Sequence, residues 1–427
     1  MSIRPAAWAA GAVLSWAIAA RGQVVMPISA PDTGNDDSCP SFNSSTPSAA
    51  SHNCKSSQRS QDSEDGGKHV LFSFGSVGGY DSAFNARPDF PASFEGGIAY
   101  AGLMYLKPNS LSLFENTSSL VNYQVGNGTT QYMNSTGVSL VRAPSQRTTV
   151  SFDTTTVFGN DAIRILSLGT EDIDAVSLGI YSGRVLGNQA TVRFTRQSTR
   201  ARWWQVSVRN NFRDFIDENT RVNTLHARAE IQYQPSARAG IGIFEETSIE
   251  TGSVACSSQS LGLVYERRIS HKLAAEGAIA PAVGTKECID KISANLYGAL
   301  SAQPWVSTSL YISAFRKLND SAFSAITYEN NVQGGWTQKF GFRTWASVRG
   351  GWLGGTAPLH VEPFSGHFIS GSIVRKLGRG FSTSLSFQRY NWSGIANVSP
   401  TRNIMVGSLN WSPGGNAPED LHAPTNH

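Results

Sequence analysis

Residues 223–233 read Asn-Thr-Leu-His-Ala-Arg-Ala-Glu-Ile-Gln-Tyr, and apolar side chains alternate with polar ones along this stretch. In an extended strand, successive side chains point to opposite faces. One face therefore carries the apolar set, which is Leu225, Ala227, Ala229, Ile231 and Tyr233. The other face carries the polar set, which is Thr224, His226, Arg228, Glu230 and Gln232. The stretch predicts a β-strand with one oily face and one wet face.

The same alternation recurs in residues 203–212, 326–336 and 340–352. Short polar or basic turns separate such stretches from about residue 107 onward, at a spacing of about 35 residues with one interval of about 55. The turn segments are 107–110, 143–146, 198–201, 234–237, 268–271, 302–304, 337–339 and 377–380. Short turns that alternate with longer connections are typical of membrane barrels. The pattern predicts an all-β fold, a transmembrane antiparallel β-barrel of about 18 strands, with 16 as the alternative count.

A soluble β-sandwich also alternates, and it is the main alternative fold. Small residues on the apolar face, such as Ala227 and Ala229, fit contact with lipid better than dense packing between two sheets. Aromatic residues also cluster near predicted strand ends, as in the interfacial girdle of a membrane barrel. The tryptophans concerned are Trp203, Trp204, Trp305, Trp336, Trp352, Trp392 and Trp411. Both features favour the barrel.

The N-terminal segment supports export of the chain. Residues 1–22 contain Arg4, an apolar run from Ala6 to Ala20, and small residues before Gln23. This pattern predicts a secretory signal peptide that is cleaved after Gly22, with Ala19 as the second choice. A membrane anchor is the other reading, but the apolar run is shorter than the roughly 20 residues that a spanning helix needs.

Composition divides the rest of the chain. Residues 23–68 are rich in Ser, Asp, Asn, Pro and Gly and predict a disordered periplasmic segment, with a small plug as the alternative. We expect residues 69–412 to form the barrel and residues 413–427 to form a flexible tail. The net charge of +4 is scattered along the chain, so no nucleic-acid partner is expected.

Four cysteines form two candidate pairs. Cys39 and Cys54 lie together in the polar N-terminal segment, and Cys256 and Cys288 each precede a predicted strand that runs towards a short turn. In an oxidising compartment, each pair is a disulfide candidate. For Cys256 and Cys288, two independent thiols are the alternative.

Charged residues on the wet faces are the main functional clue. By the alternation, the residues that line the lumen are Arg193, Arg209, Arg228, Glu230, Lys291, Glu329, Arg343 and Arg349. Most of them are cationic, and rings of basic side chains favour anions. The alternative for each residue is that opposite charges pair across strands and brace the wall, as Arg228 and Glu230 are placed to do. The longest predicted connection, about residues 158–188, either narrows the channel or lies outside it.

No catalytic or metal-binding pattern is found in the sequence. The eight histidines are spread singly, without ligand spacing, and neither a phosphate-binding loop nor a nucleophile elbow is present. We therefore expect no enzymatic activity, no metal and no cofactor.

Three parts of the chain carry a resemblance to a family. Residues 72–75 read Phe-Ser-Phe-Gly, residues 78–82 read Gly-Gly-Tyr-Asp-Ser, and residues 409–414 read Leu-Asn-Trp-Ser-Pro-Gly. With the signal peptide and the polar spacer, they resemble the predicted outer-membrane β-barrel proteins of Gram-negative bacteria, especially acidobacterial ones. The resemblance implies a porin-like or surface protein with no catalytic residues.

These features predict a protein of the bacterial outer membrane, in contact with its lipid and exported through a cleaved signal peptide. The first functional hypothesis is a channel for passive diffusion of small polar or anionic solutes. The second is a plugged structural or adhesive barrel that binds a partner through its extracellular loops, and the third is an exported soluble β-protein. Assembly into a homo-oligomer is left open, since it rests on analogy with porins alone.

Overall fold

The structure, a computed structural model, is almost entirely β. It describes residues 68–84, 90–107, 109–125, 128–145, 147–160, 184–199, 201–236, 238–252, 255–285, 293–320, 326–356, 364–378, 380–393 and 401–412. The strands are β1 Lys68–Asp81, β2 Ala92–Lys107, β3 Ser110–Tyr123, β4 Thr129–Ser145, β5 Thr148–Gly159, β6 Val185–Gln197, β7 Arg202–Phe215, β8 Thr220–Ser236, β9 Ala239–Thr251, β10 Cys256–Ser270, β11 Leu273–Gly284, β12 Ser293–Trp305, β13 Thr308–Asp320, β14 Ile326–Phe340, β15 Thr344–Thr356, β16 Phe364–Gly378, β17 Phe381–Ser393 and β18 Thr401–Trp411.

The strands form one closed sheet. Each strand pairs in antiparallel fashion with its neighbours in the chain, and β1 pairs with β18 from Phe74 opposite Trp411 to Asp81 opposite Ile404. Because the first and last strands meet, the 18-stranded sheet is a barrel without an edge. The predicted antiparallel barrel of 18 strands is therefore confirmed, and the alternative count of 16 is wrong.

The two ends of the barrel differ. At one end, which we call the short-turn end, tight turns join β2 to β3, β4 to β5 and so on around the ring. Gly378 and Gly380, at the turn between β16 and β17, have φ values of 98° and 80°, a conformation that glycine adopts without a steric penalty. The predicted turn at 337–339 is wrong by a few residues, because β14 runs to Phe340 and residues 341–343 make the turn. Longer connections lie at the opposite, long-loop end.

The two faces of the sheet invert the burial seen in soluble proteins. On β8, Glu230 and Gln232 are 2% and 1% exposed, whereas Ile231 between them is 66% exposed. The same holds on β10, where Leu261 is 60% exposed and Ser260 is buried. A soluble sandwich would bury its apolar face between two sheets, so this exterior is the lipid-contacting belt of a transmembrane barrel.

Aromatic and other apolar side chains extend this exterior towards the short-turn end. Trp305 and Phe342 are strongly exposed there, and Trp411 makes an edge-to-face ring contact with Phe72 at 6.4 Å. Trp203 does not belong to this girdle: it is 3% exposed and lies on the inner face beside Gln232. The cause is its phase, since Trp203 and Trp204 are neighbours and only one of them can point outwards.

An ion pair closes the seam between β1 and β18 near the long-loop end. Arg402 Nε donates to Asp81 Oδ1 at 3.0 Å, and its Nη2 bonds to Asp81 Oδ2. Both side chains are buried. The backbone N–H of Asn403 also donates to Ser82 Oγ at 2.8 Å. In the part of the chain that the structure describes, no helix is long and apolar enough to cross a membrane.

Candidate functional site: the inner wall of the barrel

Three arginines lie on neighbouring strands of the inner wall. Arg193 of β6 and Arg209 and Arg213 of β7 share the inward phase of the buried residues Thr195 and Gln205. All three are partly exposed, and none forms an ion pair with another described residue. We call these three residues the arginine strip. The sequence predicted the positions of Arg193 and Arg209 but missed Arg213, which continues the same alternation along β7.

Arg228 has a different role from the arginine strip. Its Nη2 lies 2.7 Å from Glu230 Oε2, its Nη1 lies 3.4 Å from Glu246 Oε2, and its guanidinium stacks on the ring of Phe244 at 3.9 Å. Glu230 also accepts a hydrogen bond from Gln232. Because these contacts use one face and the edge of the guanidinium, Arg228 and Glu230 brace the wall across β8 and β9, which is the alternative stated above for charges on the wet faces.

Acidic side chains that were not among the predicted lumen residues gather on the neighbouring stretch of wall. They are Glu246 and Glu250 of β9, Glu266 of β10 and Glu276 of β11. Glu266 and Glu276 lie directly opposite each other, and Tyr297 donates to Glu276 while Gln232 donates to Glu266 at 3.4 Å. The alternation could have located them. Each of these acidic residues lies at an inward position when the alternation of residues 223–233 is extended to the paired positions on the neighbouring strands.

Exposure separates most of the charges on the inner wall, although Glu246 of β9 and Asp153 of β5 are partly exposed there. Glu230, Glu250, Glu266 and Glu276 are all buried, at 2–9% exposure. The arginine strip is partly exposed. A buried carboxylate that is hydrogen-bonded within the wall presents little charge to the lumen, whereas a partly exposed guanidinium faces the water there. The charge that the inner faces of β6 and β7 present to a solute is therefore positive.

The remaining predicted lumen residues fall into two groups. Arg349 of β15 points inwards and its Nε donates to Ser370 Oγ at 3.2 Å; β15 lies nine strands from β6, on the opposite side of the ring. The prediction for Arg343 is wrong: this residue lies in the exposed turn 341–343, because β14 ends before it. Glu329 lies in β14, but its side chain is outside the described part of the structure, and Lys291 is outside the described residues altogether.

An ion pair lies at the long-loop end, outside the spanning strands. Arg184, just before β6, and Asp217, in the short 3-10 helix Ile216–Glu218, are joined by Nη2 and Oδ1 at 2.7 Å. The backbone N–H of Arg184 donates to Asp217 Oδ2, also at 2.7 Å. These hydrogen bonds from Arg184 hold the pKa of Asp217 below its usual value of 3.8. The pair ties the connection that precedes β6 to the one between β7 and β8.

Cys256, the first residue of β10, is disulfide-bonded at the long-loop end. This placement agrees with the predicted end of the barrel. Its predicted partner Cys288, and the other predicted pair Cys39 and Cys54, lie outside the described residues. Among the residues that are described, no group of three His, Cys, Asp or Glu side chains is arranged to hold a metal ion.

No protein-family model and no curated protein matches the chain. Among solved structures, it aligns with OccK7 (OpdD) of Pseudomonas aeruginosa at 11% identity and a TM-score of 0.45, covering 81% of this chain and 98% of that one. It aligns with Pseudomonas aeruginosa OpdK, solved with vanillate, at 10% identity and a TM-score of 0.44, covering 80% and 98%.

A third alignment is with the FrpB iron transporter of Neisseria meningitidis, at 10% identity and a TM-score of 0.43. It covers 79% of this chain and 66% of the transporter, so the chain spans just under two thirds of that protein. At such identities and TM-scores, these likenesses carry no argument about what the chain binds or transports.

Proposed function

We propose that the protein is an outer-membrane channel that passes small polar or anionic solutes by passive diffusion. The observation that supports this proposal is the difference in exposure between the charges of the inner wall. The three arginines of the arginine strip are partly exposed on the inner face, while most of the neighbouring carboxylates are buried and hydrogen-bonded. Accessible basic side chains in a water-filled pore raise the local concentration of anions and lower that of cations.

Conductance in planar lipid bilayers tests the proposal. Under a KCl gradient, the reversal potential of the wild-type protein should indicate a preference for chloride. Removal of one unit charge about 4 Å from a permeating ion changes the ion's energy by about 1 kcal/mol in water, which is roughly a fivefold change in relative permeability. We therefore expect the triple substitution Arg193→Gln, Arg209→Gln and Arg213→Gln to shift the reversal potential strongly towards cations.

The control is Arg267→Gln, which removes one positive charge from the exposed outer face of β10. It should leave the reversal potential unchanged. A folded protein that leaves the bilayer silent would contradict the channel itself. If the protein conducts but the triple substitution leaves its selectivity unchanged, the channel is supported and the role of the arginine strip is contradicted.

The proposal includes the location of the barrel. An exterior that is apolar across the spanning strands needs a bilayer, and the predicted signal peptide provides a route out of the cytoplasm. The short-turn end then faces the periplasm and the long-loop end faces outwards. In this arrangement the barrel contacts outer-membrane lipid. We also propose that the chain is related to acidobacterial outer-membrane barrels. Membrane fractionation with heat-modifiable gel mobility, and an N-terminus at Gln23 in the mature protein, are the expected results.

A further inference from the structure

The outer face of β13 to β18 is apolar along a continuous row of paired residues. One register row runs across six neighbouring strands, β13 to β18, and contains only apolar residues and glycine. Its members are Leu310, Trp336, Val348, Gly371, Phe387 and Met405. This is the composition that lipid tails select, because they offer no hydrogen-bonding groups.

The outer face of β3 to β6 departs from this apolar composition. The register row that crosses β3, β4, β5 and β6 on the outer face reads Asn116, Thr136, Thr156 and Asn188. Ser118, Asn134 and Thr154 flank this row on the same face. We call the outer polar island the set Asn116, Ser118, Asn134, Thr136, Thr154, Thr156 and Asn188.

The outer polar island lies within the apolar belt and not at its rim. On β3, Phe114 and Leu120 lie on the two sides of Asn116 and Ser118 along the strand, and both are exposed. On β5, Phe152 lies on the short-turn side of the island and the exposed Phe158 on the long-loop side. The island is therefore enclosed by apolar side chains both above and below.

Hydrogen bonds join the members of the outer polar island in two groups. Asn116 Nδ2 donates to Thr136 Oγ1 at 2.7 Å, and Asn134 Nδ2 donates to Ser118 Oγ at 2.8 Å. In the second group, Asn188 Nδ2 donates to Thr156 Oγ1 at 2.8 Å. These bonds preorganise the side chains into a fixed surface rather than leaving them mobile.

The internal bonds do not use the whole capacity of the outer polar island. Asn188 Oδ1 accepts no hydrogen bond from a described residue, and the Thr156 hydroxyl donates none. A polar group that is left without a partner in a medium that cannot hydrogen-bond costs free energy. A contacting surface with its own donors and acceptors would remove that cost.

We propose that the outer polar island is the interface through which two copies of this chain form a dimer in the membrane. Its amides and hydroxyls are neutral and carry donors and acceptors together, so the surface is complementary to itself. In the register that joins β14 to β17, the row Trp336, Val348, Gly371 and Phe387 offers no polar group to which the island could bind in a head-to-tail ring. Since the island carries its own donors and acceptors, we expect two islands to face each other across a two-fold axis, an isologous arrangement.

The charges on the same strands disfavour an anionic lipid headgroup as the occupant. Arg142 and Arg196 are exposed on the outer face of β4 and β6, but both lie near the short-turn end. The island carries no positive charge to pair with a phosphate. The proposal requires only that the barrel lies in a bilayer, and it holds whether or not the lumen conducts.

Disulfide cross-linking of the full-length protein in lipid nanodiscs or native membranes tests the dimer. Thr136→Cys places a thiol in the central register row, where a two-fold axis brings it close to its own copy. The matched control is Ile312→Cys, which is half exposed on the outer face of β13, nine strands away. On mild oxidation we expect a cross-linked dimer from Thr136→Cys and none from Ile312→Cys.

A second variant separates the interface from folding. Thr136→Leu with Thr156→Leu replaces polar groups by apolar ones that lipid accepts, so the barrel should fold while its mass by light scattering falls from two chains to one. Equal cross-linking at both cysteine positions, or a wild-type mass of one chain, would overturn the proposal. So would cross-linking of Thr136→Cys to a different protein, or a bound anionic lipid that protects the thiol.

Discussion

Removal of Arg402 from the seam should destabilise the barrel strongly. The guanidinium makes two hydrogen bonds to Asp81, and both side chains are at most 4% exposed. Breaking a buried pair by removing one partner leaves the other charge uncompensated, at a cost of about 3–5 kcal/mol. We expect Arg402→Met to lower the free energy of unfolding by this amount.

Urea unfolding in lipid vesicles, followed by tryptophan fluorescence and heat-modifiable gel mobility, measures this change. The control is Arg221→Met, whose partner is Asp214 and whose side chain is 66% exposed. An exposed pair contributes about 0–1 kcal/mol, so the control should hardly change the unfolding midpoint. The double variant Asp81→Asn with Arg402→Met should be less destabilised than the sum of the two single variants, because neither charge is then left alone.

Two results would refute this reasoning. The first is an effect of Arg402→Met no larger than that of the exposed control. The second is additivity of the two single substitutions, which would mean that the two groups do not act on each other in the folded barrel.

Three further predictions follow from the outer face and the long-loop end. Glu245 is exposed on the outer face in the middle of β9, where its neighbours on the same face are Ile243 and Thr247, so Glu245→Leu should raise the free energy of unfolding by about 1–2 kcal/mol, less than the 2–4 kcal/mol known for lipid-facing Arg or Lys; an unchanged urea midpoint would contradict this. The pKa of Asp217, measured by NMR, should lie below 3.8. The contact with Arg184 should therefore persist above pH 3.8 and be lost only as the pH falls through the lowered pKa. The substitution Arg184→Gln should return the pKa of Asp217 towards 3.8. Mass spectrometry of the unreduced protein should find Cys256 linked to Cys288, and linkage to another cysteine would contradict the predicted pair.

The alternation of residues 223–233 was enough to predict β8 and its two faces. Burial follows that phase from Ala229 to Tyr233, because every side chain on a strand points to one of only two faces. The turns were located less well. The chain at 337–339 is polar and looks like a turn, yet it continues β14, because backbone pairing with β13 and β15 decides where a strand ends.

The sequence predicted individual inward-facing residues of the inner wall, but not which of them lie next to each other on neighbouring strands. The sequence placed Arg228 in the lumen, but only the register with β9 brings Glu246 opposite it. Likewise, Glu266 and Glu276 are ten residues apart in the chain and meet only because β10 and β11 form a hairpin. Which charges are exposed and which are buried depends on these lateral neighbours, and a single sequence does not state the register between strands.

The pairing of β1 with β18 constrains the order of assembly. Phe74 and Trp411 lie at opposite ends of the barrel-forming chain, yet they are direct partners in the sheet. All other neighbouring strands are consecutive in sequence and can zip up locally, whereas this last contact must wait until the final strand has been delivered. Until then, the backbone N–H and C=O groups at two strand edges are unpaired and can bind the strands of other chains. A chain that is truncated before β18 would therefore remain an open sheet, and its fate should be aggregation rather than a smaller pore.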